Sequence, residues 1–174
     1  ENEAYKYYFI TRFADLLNTT FLETRVVEKI NHFQSIYASE IDENSRRWSD
    51  FTANYDQWIN DVNRMKDFAN NRPEHQRQHL IEKFNLDGEF ELEVDISHSD
   101  HGYIHLNTLD LTSETDGVNE EVYPWKGIYF KNIPVKLTAH PIGNYQFSHW
   151  SGDVESLNPE LTLYLNNDTY IKAH

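Results

Sequence analysis

Two different periods of apolar and polar positions run along this chain of 174 residues. Up to about residue 85 the apolar positions recur at intervals of three and four, the helical spacing. Tyr7, Tyr8, Phe9, Phe13, Leu16 and Leu17 predict a helix over residues 3–18, and Asn18-Thr19-Thr20 reads as a stop and restart. Val26, Val27, Ile30, Phe33, Tyr37 and Ile41 predict a long amphipathic helix over about 22–42. Tyr55, Trp58, Ile59, Val62, Met65, Phe68 and Ala69 fall on one face of a third helix over 54–70. Pro73, a favoured first-turn residue, opens a fourth that carries Leu80, Ile81 and Phe84 and ends before Gly88. Four apolar stripes need one another, or another body, to bury against.

Beyond Gly88 the period shortens to two. Phe90-Glu91-Leu92-Glu93-Val94-Asp95-Ile96 alternates strictly between apolar and acidic, which marks a half-buried strand with Glu91, Glu93 and Asp95 on its wet face. Further short strands are predicted over 103–106, 125–130, 134–139, 145–150, 161–165 and 170–173, with a polar acidic loop over 112–121. About six or seven short strands with frequent turn signals fit an antiparallel sandwich or a β-grasp-like sheet. The expected fold class is therefore α+β in segregated halves. An all-α piece of about four helices spans residues 1–86, and a small antiparallel β domain spans 87–174.

Composition sharpens this division. All six glycines (Gly88, Gly102, Gly117, Gly127, Gly143, Gly152) and four of the five prolines lie in the second half, whereas every arginine precedes residue 78. Residues 1–85 hold 11 basic and 14 acidic side chains, a net −3, and residues 86–174 hold 4 and 15, a net −11. The total of −14 argues against binding a phosphate backbone, which needs a basic face, and against docking on anionic membranes. The absence of cysteine excludes disulfides, thiolate metal sites and cysteine nucleophiles. Aromatic content of 14% excludes compositional disorder. No apolar run approaches the roughly 20 residues that a membrane span needs. The chain starts at Glu1 without Met or a leader, and we read it as an excised piece of a longer protein.

Candidate chemistry is sparse. His75 and His79 lie four apart on the last predicted helix, a spacing that presents two imidazoles to one metal. The acidic neighbour that marks a zinc protease is missing, however, and two histidines on a solvated helix face is the plainer reading. His98, Asp100, His101 and His105 are metal-ligand types within eight residues, yet Asp100-His101-Gly102 is also a turn signal. The acidic strand face and the 112–121 loop are a calcium candidate without the Asp-x-Asp-x-Asp-Gly spacing, and a solvated face is preferred. Trp125 and Trp150 are candidates for stacking on sugar rings, against the plainer reading that both are core. There is no phosphate-binding glycine loop and no nucleophile elbow. No catalytic, cofactor-binding or metal-binding residue is therefore assigned, and the ligand-binding residues are left unknown.

The helical residues resemble a known family. Tyr8-Phe9-Ile10-Thr11-Arg12-Phe13-Ala14-Asp15-Leu16-Leu17-Asn18-Thr19 looks like the "F-x-x-R-x-x-D-L-L-N-T" segment in the C-terminal helical part of the CotH family, bacterial spore-coat and surface proteins with an atypical protein-kinase fold. Arg47-Trp48, Trp58, the run Met65-Lys66-Asp67-Phe68-Ala69-Asn70-Asn71-Arg72-Pro73 and the 78–84 helix follow in the family's order, so the resemblance covers about residues 3–86. The β half resembles a divergent internalin-B-type bacterial repeat. The matching residues are Pro134 to Pro141, Gly143 to Gly152 with Asn144 inserted, and Asn158 to Leu163, and the chain stops at Ala173-His174, one residue before the closing Phe.

These resemblances imply a helical buttress from the tail of a kinase-like lobe, followed by a surface-type β module. The parent would use ATP and a divalent metal, but its nucleotide-binding lysine and catalytic and metal-binding aspartates belong upstream, so no catalytic residue carries over and this piece alone is expected to be inactive. Expected partners are the kinase-like core of the parent chain, surface or coat proteins, and a second copy through uncovered helix faces. Nucleic acid and membrane insertion are not expected. The implied location is the bacterial cell surface or spore coat.

Overall fold

A computed structural model of the chain describes residues 2–48 and 54–174. It contains helices α1 (Glu3–Leu17), α2 (Glu23–Tyr37), α3 (Ile41–Arg47) and α4 (Tyr55–Phe84). The strands are β1 (Glu89–Ile96), β2 (Gly102–Leu106), β3 (Leu109–Asp110), β4 (Trp125–Phe130), β5 (Pro134–Pro141), β6 (Trp150–Gly152), β7 (Glu160–Tyr164) and β8 (Thr169–Ala173). The α+β division into helices followed by strands is as the two periods predict.

The helices number fewer rods than expected. A single 3₁₀ turn over Ala38–Glu40 joins α2 to α3 without a break, so one run covers the predicted second helix and extends it to Arg47. The predicted third and fourth helices are one. Pro73 lies inside α4 instead of opening a new helix. Proline removes one helical hydrogen bond and crowds the preceding turn. Here its ring lies on the same buried face as Val62 and Ala69, at spacings of seven and four, while helix-forming residues on both sides carry the backbone through. Among the described residues, three helical rods thus replace the expected four.

The chain forms two compact units, Glu1–Thr20 with Arg77–His174, and Phe21–Gln76. The compositional break at 86/87 marks the change from helix to strand; compactness divides the chain elsewhere, because α1 and the last two turns of α4 belong with the strands.

The larger unit holds two four-stranded sheets, ordered β4-β1-β8-β6 and β3-β2-β5-β7. Inward residues of both sheets, among them Leu92, Val94, Ile171, Ile104, Leu106, Val135 and Leu137, are essentially inaccessible and form one apolar cluster. This is the expected sandwich, with one departure: β8 pairs with β1 in parallel, so the first sheet is mixed and not purely antiparallel. The predicted strand over 145–150 shrinks to Trp150–Gly152, since Tyr145 closes a turn onto Ile142 and its side chain is exposed. The two-residue β3 is too short to leave a period in the sequence.

Helix α1 packs into the same cluster through Ile10, Ala14 and Leu17, spaced i, i+4, i+7 along one face. The predicted stripe is turned by about one position, for Tyr8 and Phe9 are exposed and Ile10 and Ala14 are buried. The polar residues beside that face decide the rotation. Asp15 is fully buried, and its carboxylate accepts hydrogen bonds from Asn107 Nδ2 (3.1 Å), the Thr108 amide (3.1 Å), the Thr108 hydroxyl and the Tyr129 hydroxyl (3.0 Å). Arg12 donates to Thr108 Oγ1 (2.8 Å), and Asn18 exchanges two hydrogen bonds with the Ile128 backbone. Gly117 completes the seat: it adopts φ +84°, and a Cβ there would lie 2.3 Å from the Thr19 carbonyl oxygen.

In the smaller unit the cover is thin. No residue of α2 is buried; Val26, Val27 and Ile30 are half-buried, and Phe33 and Tyr37 stack on each other in the open. On α4, Val62 and Ala69 are buried while Met65 and Phe68 are exposed, with the Arg72 guanidinium over the Phe68 ring. Lys66 donates to Gln34 Oε1 at 2.7 Å.

Candidate functional site

Each candidate from the sequence falls at a definite place. His75 and His79 are exposed on α4, and no third ligand joins them; among the described residues no group of three His, Asp or Glu side chains is arranged to hold a metal. The 98–105 group does not converge. His105 points its Nδ1 at Asp110 (2.7 Å) and its Nε2 at the Asn107 carbonyl (2.9 Å), whereas His98 and His101 stack on each other in the β1–β2 turn.

The acidic face of β1 is neutralised by strand register. Glu93 lies opposite Lys126 of β4, whose ammonium contacts both Glu91 and Glu93 at 2.9 Å. Asp95 lies opposite Lys172 of β8 and accepts from its ammonium at 2.7 Å and from the Tyr170 hydroxyl at 3.2 Å. Partial desolvation pulls the Asp95 carboxyl upward, but the hydrogen bonds from Lys172, the Ile96 amide and Tyr170, with the lysine's charge, hold it below the usual carboxylate range. The hydrogen bonds that Lys126 donates to Glu93 and then Glu91 raise its pKa. Carboxylates so paired are a poor calcium cage.

The two candidate tryptophans are core. Trp150 is inaccessible and donates its indole N–H to the Asn158 carbonyl at 2.9 Å; Trp125 is 7% exposed, with its ring packed where a Cβ on Gly127 would stand. Sugar stacking through either indole is ruled out by that burial.

The larger unit carries a small open cleft of about 90 Å³ at one end of the sandwich, where β1, β2, β5 and β8 reach the same edge. The pairing of Tyr103 with His140 brings β2 against β5 there, and the strands cross so closely that a Cβ on Gly102 would lie 2.5 Å from the His140 carbonyl oxygen. Its floor is apolar, with Ile96, Ala139, Phe147 and Ala173, and its rim is aromatic. His98, His101 and Tyr145 form a continuous stack with centroid separations of 4.5 and 3.6 Å; Tyr103 stacks on His140 at 5.0 Å. His174 stacks on His149 at 4.5 Å and meets Ser151 Oγ at 2.8 Å. Desolvation, then the neighbouring His149 and Lys172, lowers the His174 pKa. Sequence spacing exposes only His98 and His101 of this group. His140, Tyr145 and His174 are some 40 to 75 residues further on, and only strand pairing collects them.

Residues 1–76 match the family model described as CotH kinase protein. No curated protein and no solved structure matches the chain. The matched stretch takes in Arg12, Asp15, Asn18 and Thr19, the polar residues that seat α1 on the sandwich. Nothing in the comparisons supports the internalin-B-type repeat. No helix among the described residues is long and apolar enough to cross a membrane.

Proposed function

We propose that this chain is the non-catalytic C-terminal part of a CotH-like surface or spore-coat protein, in which the helices buttress a kinase-like core and the sandwich faces outward as an interaction domain. The observation that carries this reading is the coincidence of the family match with uncovered aromatic helix faces. Phe33, Tyr37, Met65 and Phe68 all lie within residues 1–76 and are all about half exposed or more. Large apolar side chains left exposed favour burial against a further body. The −11 charge of the β half suits a solvated, outward-facing domain. The second reading follows from the family's description as a kinase: the parent transfers phosphate from ATP to Ser or Thr of coat or surface proteins, with its catalytic Lys and Asp upstream.

The test is a phosphotransfer assay with Mg-ATP on this chain alone and on the full open reading frame. We expect no turnover by the chain alone. Turnover by the longer protein alone supports the enzymatic parent, and turnover by the 174-residue chain overturns the buttress reading.

A further inference from the structure

We propose that the cleft at the end of the sandwich binds an uncharged carbohydrate, seated on the open face of Tyr145. Three observations converge on this ligand class. First, one face of the Tyr145 ring is taken by His101 at 3.6 Å, yet the residue is 50% exposed, so the remaining exposure lies on its other face and edge. An aromatic face held rigid by a stacked neighbour suits the C–H face of a pyranose, because little side-chain entropy is left to lose on binding. Secondly, the rim offers hydrogen-bonding groups that are not committed elsewhere. Neither His98 nor His140 has a protein partner for its ring nitrogens, and the Tyr103, Tyr145 and Gln146 side chains are likewise without one.

Thirdly, the cleft excludes charge. Among the described residues, no Asp, Glu, Lys or Arg lines it, in a half of the chain that carries 15 acidic side chains. Asp100 does not line it: its carboxylate lies 3.5 Å from His101 Nε2 at the rim, with 81% of its side chain exposed to solvent. A ligand with one apolar face and several hydroxyls matches an apolar floor and a neutral polar rim. A nucleotide matches less well, since the −11 of this half repels phosphate. The volume of about 90 Å³ is below that of a drug-sized pocket and limits the contact to about one sugar ring, so weak monovalent affinity is expected.

The test is an amide-resolved NMR titration of the whole chain with methyl glycosides of glucose, galactose, mannose and N-acetylglucosamine, with adenine as a flat-ring comparison. We expect saturable shifts at His101, Tyr103, Tyr145 and Gln146 with at least one glycoside. Tyr145→Ala should weaken binding by up to about tenfold, the effect of losing one aromatic face, and Tyr145→Phe should retain it. Because Tyr145 is exposed, neither variant threatens the fold. No saturable shift with any glycoside overturns the proposal. Binding of adenine without any glycoside overturns it in favour of a planar-base site, and unchanged binding by Tyr145→Ala places the sugar elsewhere and overturns it too.

Discussion

The Asp15 carboxylate accepts a hydrogen bond from the Tyr129 hydroxyl at 3.0 Å, joining helix α1 to strand β4 across 114 residues of chain. Neither group reaches water, as Asp15 is fully buried and Tyr129 is 2% exposed. Desolvation raises the Asp15 pKa, outweighing the hydrogen bonds from Thr108, Asn107 and Tyr129 that favour the ionised form. Burial, then the Asp15 charge and the hydrogen bond between them, also pushes the Tyr129 hydroxyl well above its usual range.

Removing one side of this network leaves the other buried and unpaired. Asp15→Ala strands the Tyr129 hydroxyl, the Asn107 amide and the Thr108 amide and hydroxyl, and should destabilise the larger unit by about 3 kcal/mol. Asp15→Asn fills the same space and should cost less. The pH dependence has a definite sign. Because the folded pKa is raised, the carboxyl's contribution is fully present below pH 3.8 and is lost as pH rises through the folded value. Wild type should therefore gain on Asp15→Asn as the solution is acidified. Urea midpoints of both proteins across an acid series measure this, and a difference that shrinks on acidification contradicts it.

The Asp95–Lys172 pair should behave in the opposite way. Its carboxyl is held low in the folded state, so the pair's contribution is present above pH 3.8 and disappears as pH falls through the lowered folded value. The groups are only partly shielded, with side chains 18% and 29% exposed. Asp95→Asn should thus cost about 1 kcal/mol or less at neutral pH and nothing in strong acid. Thermal melts at the two extremes decide it; an equal shift in Tm at both refutes the assigned direction.

How far the sequence foretold all this depended on the range of the interaction. The alternation of Phe90 to Ile96 gave β1 its inward and outward faces correctly, because a period of two acts between neighbours. Pro73 misled, since a proline at the first turn of a helix and one buried within a helix have the same local sequence. The seat of α1 was illegible for a different reason. Asp15 looks like one more polar helix residue until Asn107, Thr108 and Tyr129 arrive from distant strands. The cleft is the least legible: Tyr103 and His140 meet only through the β2–β5 register, and the pattern around Tyr145 predicts a strand where the chain makes a turn. The buried tryptophans were within reach of the plainer reading, given that Trp150 needs a partner for its indole N–H and finds the Asn158 carbonyl.

Trp150→Phe should separate structure from binding. It keeps most of the apolar volume, deletes the donor to Asn158, and should cost about 2 kcal/mol in stability. The indole is inaccessible, so the variant should leave any glycoside titration of the folded protein unchanged. Chemical denaturation and the same NMR titration measure the two effects side by side. A loss of sugar binding with stability intact would return Trp150 to the ligand site.

The seat of α1 also decides whether the strands form a separable module. A chain of residues 87–174 alone would lack Ile10, Ala14, Leu17 and Leu80, apolar side chains that the core cluster buries almost completely. Each is worth roughly 1.5–3 kcal/mol when buried, except alanine, which is worth less. Their loss together is comparable with the roughly 5–15 kcal/mol that holds a typical domain folded. Truncation would also leave the Tyr129 hydroxyl and the Thr108 amide without their acceptor. Residues 87–174 should therefore lack a cooperative melt and give collapsed amide dispersion, whereas the 174-residue chain should melt cooperatively. Supplying a peptide of residues 2–20 in trans should restore part of the dispersion, and restore less of it with Asp15→Ala in the peptide. A well-dispersed spectrum from residues 87–174 alone would show that the sandwich folds independently and that α1 is a dispensable addition.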